Sequence, residues 1–231
     1  MKARPDMAGV DAPDDTTEVG WRERAVSRSL NAARSRAEER VQRFLDAAFE
    51  LIDEKGSTEF TIQEVIERSK QSLRGFYEYF DSKDELVLAL FEESVREADE
   101  DIQHAVDGES DPLARLRIFA IRLHEWCDPG EAPRKRGAHN RRAISEFSLQ
   151  LSANHSERVG VALAPQWHLL LELLQAAGDA GAIRVADVRR SAALIQQTVM
   201  CSWFGNRLEK NAKLRLTAEE TWEFCLHGLG A

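Results

Sequence analysis

Two Ser/Thr-x-x-Glu sequences, Thr61-Ile-Gln-Glu64 and Ser82-Lys-Asp-Glu85, stand 21 residues apart, and little but a pair of short helices and a tight turn fits between them. In each, the hydroxyl accepts a hydrogen bond from a free backbone N–H three residues on while the carboxylate reaches back to the cap, so each marks a helix start. Behind Thr61, the residues Ile62, Val65 and Ile66 give a helix of about two turns one apolar edge. The polar break Ser69-Lys70-Gln71 leads to Ser72, the expected cap of a second short helix through Phe80. Ser82 then opens a long helix to about residue 105, with Leu86, Leu90, Val95 and Ile102 facing inward.

The rest of the chain is helical in pattern too. Sustained period-2 alternation is absent, and no Asn-Gly or Asp-Gly turn joins two β-branched runs. The spacing predicts a first helix over about 37–54, where Val41, Phe44, Leu45, Ala48, Leu51 and Ile52 share a stripe that ends at Gly56. Further helices are expected over about 112–126, 139–154, 157–179, 187–209 and 217–229, the last opened by a third box, Thr217-Ala-Glu-Glu220. Pro165 is expected to kink or interrupt its helix. Residues 128–138 (DPGEAPRKRGA) read as an exposed basic loop. The fold class is all-α.

The first helix, the short pair and the long helix behind Ser82 together give three short helices followed by a long one, the layout of a helix-turn-helix DNA reader. At 100° per residue, Leu73, Phe76 and Phe80 cluster within about 60° and are expected to pack on the preceding helices. Arg74, Tyr77 and Glu78 are left for a groove. An arginine grips guanine O6 and N7, a tyrosine hydroxyl holds a phosphate, and a carboxylate accepts from cytosine N4. Gly75 would let the backbone come close to DNA. Tyr77 has the alternative of a half-buried core aromatic, and Glu78 that of simple exposure.

The stretch from Arg43 to Phe91 resembles the N-terminal domain of the TetR family of transcriptional regulators. The resemblance rests on FLDAAFELI in the first helix, the Gly56 turn, Thr61 opening the second, FYEYF closing the recognition helix and SKDEL opening the fourth. It implies an N-terminal three-helix helix-turn-helix DNA-binding domain followed by a larger helical ligand-binding and dimerisation domain. It also implies phosphate contacts by Thr61, Ser72, Tyr77 and Lys83 and base-edge contacts by Arg74 and Gly75, and Arg40 in the basic arm joins this set. Lys70 stands where the family usually carries glycine, so either Lys70 is left-handed or the turn differs. Gln71 replaces a customary small apolar residue and Leu73 a customary polar or basic one. The expected organisation is a flexible tail and basic arm over 1–33, the reader over 34–82 and the larger domain over 83–231.

Past residue 92 the chain needs a second role. Leu194, Ile195, Val199, Met200, Cys201, Trp203 and Phe204 fit no single stripe, so their helix is buried on two sides. In a TetR-like protein one side lines a cavity, and the other joins the C-terminal helix (Trp222, Phe224, Leu226, Leu229) in a two-fold dimer interface. A homodimer also follows from reading a palindrome with one recognition helix per half-site. Phe119, Leu123, Trp126, Phe147, Trp167, Met200 and Trp203, with Leu151, Leu170 and Leu171, either line a pocket for a hydrophobic small molecule or fill a core. His124, His168 and Gln196 are possible orienting groups. Arg134, Lys135, Arg136, Arg141 and Arg142 either meet an anionic part of that ligand or are simply solvated.

Charge and composition bound the reading. A net of −9, from 31 basic and 40 acidic residues, speaks against a nucleic-acid partner, since phosphates are held by Lys and Arg. Its distribution speaks otherwise. Residues 1–20 carry a net of −3 in a stretch read as a disordered tail, whereas residues 22–43 carry seven arginines against three glutamates. That segment is either a solvated helix start or an arm that touches DNA phosphate or a minor groove. No run reaches the roughly 18 apolar residues of a membrane helix, and the first twenty residues lack a signal-peptide core, so a cytoplasmic location without membrane contact is expected. Cys127, Cys201 and Cys225 have no metal-ligand spacing, and no HExxH, phosphate-binding loop or dinucleotide motif is present. Neither a metal, a cofactor nor an enzyme is expected.

The expected function is a ligand-responsive repressor that binds a palindromic double-stranded operator as a homodimer and is released by a hydrophobic effector. The alternative is a helical small-molecule-binding protein or enzyme retaining a degenerate reader.

Overall fold

The computed structural model describes residues 20–55, 57–128 and 151–229, and among them every regular element is a helix. They are α1 (Trp21–Lys55), α2 (Ile62–Ser69), α3 (Leu73–Tyr77), α4 (Lys83–Asp107), α5 (Pro112–Cys127), α6 (Ser156–Asp179), α7 (Val188–Leu208) and α8 (Ala218–Gly228). Residues 151–154 are also helical, and a 3-10 turn, Ala212–Leu214, precedes α8. Most of the helix expected over 139–154, including Phe147, and the loop arginines 134–142 lie outside the described residues.

The chain divides into two compact units, one up to Val41 and the other from Gln42 onward. In the first, α1 begins sixteen residues earlier than apolar periodicity predicts. Residues 21–36 hold no apolar stripe dense enough to announce a core helix, but they contain neither Pro nor Gly and are rich in Ala and Arg, which favour helix. Its side chains there are almost all exposed, among them Val26 and Leu30.

In the second unit Thr61 and Thr217 form complete reciprocal boxes with Glu64 and Glu220. Ser82 accepts from the Glu85 N–H, but the Glu85 carboxylate accepts from Arg158 at 2.9 Å instead of reaching back to the cap, so the second box is half formed. Asp111 and Asp187 cap α5 and α7 through their carboxylates alone. Lys70 takes the left-handed conformation (φ 56°, ψ 35°) that ends α2 and turns the chain toward α3. Pro165 does not interrupt α6. The carbonyl that it deprives of a donor is that of Val161, an exposed residue, so water can satisfy it.

The larger part of this unit packs α4, α5, α6, α7 and α8 against one another, with α5 central. Leu116, Phe119, Ala120 and Leu123 of α5 are buried, as are Leu170 and Leu174 of α6 and Ala192, Ile195 and Val199 of α7. Buried Asn206 fastens one end of this core, donating to Asp128 at 2.6 Å and to the Leu216 carbonyl at 2.9 Å while accepting from the Leu216 N–H at 2.7 Å. Trp222 and Leu229 of α8 are buried within the chain itself rather than held for a partner, because α8 lays that face on α5 and α7.

Candidate nucleic-acid interface and apolar cleft

The short helix α3 is positioned by aromatic packing. Phe76, fully buried, meets Phe44 of α1 edge to face at 5.6 Å and Phe80 at 5.4 Å, and Phe44 meets Phe80 at 6.1 Å. A five-residue helix is too short to be stable by its own hydrogen bonds, so these rings hold it in place. Ser72 Oγ accepts from the Gly75 N–H at 3.0 Å, and a β-carbon at position 75 would stand 3.2 Å from that oxygen. Glycine there keeps the cap intact.

On the outer side, the Arg74 side chain is 91% exposed, and Tyr77 and Glu78 are exposed as well. Arg74 Nε lies 3.5 Å from Glu78, a loose exposed pair worth about 1 kcal/mol at most. Leu73 was expected in the core, but it is 52% exposed. It is the first residue of α3, one turn before Tyr77, and the pair form an apolar edge beside Arg74. The departure of Leu73 from the family's polar preference is the signal that marked it, and the angular arithmetic over so short a helix was what misplaced it.

Three other cations of this region are already engaged. Lys55 bonds Glu64 at 2.7 Å, and that ammonium, followed by the Thr61 backbone and hydroxyl, draws the Glu64 carboxyl down to about 2. Arg68 holds Glu54 through two bonds of 2.7 Å and Glu50 at 3.3 Å. Lys83, half-buried, donates to the Thr58 carbonyl at 2.7 Å and sits 4.7 Å from the centre of the Phe60 ring. It secures the turn between α1 and α2 to the start of α4. Thr61 and Ser72 are exposed caps, and Arg40 is an exposed residue of the first unit.

A second feature is a cleft of about 630 Å³ between α6 and α7. Leu163, Trp167, Gln196, Met200, Trp203 and Phe204 are among its walls. Trp167, Met200 and Trp203 therefore share one cleft. Phe119 and Leu123 are instead fully buried among core side chains, and Trp126, also buried, donates to Asp101 at 3.0 Å. None of these three lines the cleft. Their place in α5, the central helix, decides this, and periodicity does not reveal which buried stripe meets a void. His124 is buried, with no partner for Nε2 among the described residues, and burial lowers its pKa. His168 is exposed.

Behind the cleft, Gln196 donates to Gln166 at 3.5 Å, and Gln166 donates to Asp99 of α4 at 3.4 Å. Burial pushes the Asp99 carboxyl up to about 6, opposed by the bond from Gln166. The folded chain thus binds a proton that the unfolded chain has released by about pH 4, and stability falls as pH rises from about 4 to about 6. Asp99→Asn keeps the acceptor and removes the charge. Its melting temperature is expected to match the parent near pH 4 and to exceed it increasingly through pH 6, then level off. A difference independent of pH would contradict the assignment.

Residues 44–90 match the sequence model of bacterial regulatory proteins of the tetR family. No curated protein sequence matches the chain. Among solved structures, a tetR-family regulatory protein from Rhodococcus RHA1 superposes with a TM-score of 0.61 at 18% identity, over 82% of this chain and 96% of that one. The superantigen PfiT gives 0.63 at 19% identity, over 83% and 96%. AibR in complex with isovaleryl coenzyme A and operator DNA gives 0.59 at 19% identity, over 82% and 97%. Likeness at such identity speaks to fold. Residues 44–90 thus carry the sequence pattern of the tetR family of bacterial regulatory proteins, on a helical frame similar to that of solved tetR-type structures.

Proposed function

We propose that the protein is a ligand-responsive transcriptional repressor, with residues 34–82 as reader and 83–231 as the effector-binding and dimerisation part. The observation that carries this is the exposed row Leu73, Arg74 and Tyr77 on a helix clamped by Phe44, Phe76 and Phe80. In this reading Arg74 takes a guanine edge and Leu73 a thymine methyl. Tyr77 and Ser72 hold phosphates, and Gly75 permits close approach. Thr61 and Lys83 have positioning roles, with any phosphate contact supplementary to the bonds they already make. Arg74→Ala is expected to weaken operator binding by about 1 to 3 kcal/mol and to relax base preference. Gel shift with duplexes from the intergenic DNA beside the gene measures both. Unchanged affinity and specificity would remove Arg74 from the readout.

A homodimer is supported by α7. Leu194, Cys201, Phe204 and Leu208 repeat at heptad-like spacing along one exposed face, and Phe224 of α8 is exposed too. Cys201 and Phe204 also belong to the cleft wall, so a second copy docked on this face would close part of the cleft's mouth. The walls are mostly apolar and aromatic, with the amides of Gln196 and Gln197 as orienting groups, which suits a hydrophobic effector with a hydrogen-bonding end. AibR's acyl-coenzyme A ligand is one precedent for that chemistry on this fold. The effector releases DNA only if it binds the non-reading conformation more tightly. PfiT shows that this fold also occurs in a protein described as a superantigen, so a binder with a degenerate reader is the competing reading. Failure of the pure protein to bind any neighbouring intergenic duplex at low salt would favour it.

A further inference from the structure

The reader is short of free positive charge. Residues 42–91 hold six basic and eleven acidic residues, a net of −5. Of the six, Lys55 and Arg68 are in ion pairs with glutamates, and Lys83 is committed to Thr58 and Phe60. Arg43 and Lys70 remain, with Arg74, whose 3.5 Å pair with Glu78 is loose and exposed. Binding a polyanion through so few cations leaves the electrostatic part of the affinity to be supplied elsewhere.

The first unit has what the reader lacks. Between Trp21 and Val41 the chain carries six arginines and three glutamates, and it is helical throughout, about 30 Å long at 1.5 Å per residue. Arg34 is neutralised by Glu38 at 2.7 Å. Arg28, Arg36 and Arg40 are exposed, are in no ion pair among the described residues, and fall within about 120° of one another around the axis. Glu39 stands on that side as well. Arg36 Nε donates to the Ala32 carbonyl at 3.0 Å, which orients its guanidinium without neutralising it.

We infer that the arginine face of α1 marked by Arg28, Arg36 and Arg40 is a second DNA-binding surface, which holds duplex phosphates without reading sequence. It rests on the regulator reading above and locates the electrostatic part of binding in the arm. Charge complementarity selects the occupant. Because the contact is to phosphate, it acts on operator and unrelated DNA alike.

The test uses the full-length chain and fluorescence anisotropy over a series of salt concentrations. The probes are a duplex from the intergenic DNA beside the gene and a scrambled duplex of equal length. Each arginine on a phosphate contributes about 0.9 to the slope of log affinity against log salt, so Arg28→Ala/Arg36→Ala/Arg40→Ala is expected to flatten it by about five in a homodimer. The corresponding triple lysine variant is expected to retain the slope, which separates charge from folding. Wild-type binding with an alanine-variant slope unchanged on both duplexes overturns the inference alone. Absence of wild-type binding to either duplex at low salt overturns the regulator reading and this inference with it. The exposed Val26 and Leu30 give the arm an apolar side. Co-sedimentation with phosphatidylserine vesicles that the alanine variant loses, while its DNA slope stays unchanged, would assign the face to lipid and overturn the proposal.

Discussion

Replacing Phe76 with alanine is expected to destabilise the protein by about 3 to 5 kcal/mol and to abolish DNA binding at temperatures where the rest of the chain remains helical. Phe76 has no exposed surface and joins Phe44, Phe80 and Tyr77 through ring contacts of 5.4 to 5.6 Å. Its removal leaves a cavity and also takes away edge-to-face contacts worth about 0.5 to 1.5 kcal/mol each beyond area burial. A domain is stable by only about 5 to 15 kcal/mol, so the loss is a large fraction of the whole. Because α3 has five residues, it has no means of persisting once its anchor is gone. Urea unfolding measures the stability change, and anisotropy with operator DNA measures the functional one. Leu73→Ala is the control. Leu73 is half exposed and is expected to change stability by about 0.5 kcal/mol or less. Equal effects of the two substitutions would mean that the aromatic cluster does not anchor α3.

The second large effect is expected at the exposed face of α7. On the homodimer proposed above, Leu194→Glu combined with Phe204→Glu should shift the protein from dimer to monomer at micromolar concentration while the chain remains folded. Both residues are more than half exposed, so the charges meet water in a single chain. In a two-fold assembly through this face both would be enclosed by the second copy, and burial of unpaired carboxylates would oppose association. The dimer constant is expected to weaken by a hundredfold or more, equivalent to about 3 kcal/mol. Operator affinity should fall with it, since one protomer reads one half-site. Sedimentation velocity decides the matter. A double variant that remains dimeric would move the interface elsewhere, and a parent that sediments as a monomer would remove the two-fold description altogether.

Much of the reader was legible from residue order because its signals are local. A capping box acts within four residues, and each of Thr61, Ser82 and Thr217 opens its helix as expected. A left-handed Lys70 was one of the two alternatives left open by its standing where the family usually carries glycine, and the structure selects it. Leu73 was misplaced because a helical wheel assumes more turns than α3 possesses, and its exposure depends on where Phe76 is seated. In the cleft, Trp167, Met200 and Trp203 were anticipated, while Phe119, Leu123 and Trp126 were assigned to it and belong to the core or to Asp101. Hydrophobicity is the same on both sides of that distinction. Pairings such as Arg158 with Glu85 and Glu92, or Gln166 with Asp99, join residues more than sixty positions apart and leave no pattern in sequence.

Residue order by itself determined that the described residues are helical, where the helices behind Thr61, Ser72 and Ser82 begin, and which family the motifs resemble. Those properties are set by backbone hydrogen bonding and side-chain spacing within one or two turns. Only the tertiary structure decided which cations are held by neighbouring groups, which aromatic residues meet a void, and which face of α7 is exposed. Each depends on what an unrelated segment of chain places within a few ångströms, and that is a property of packing.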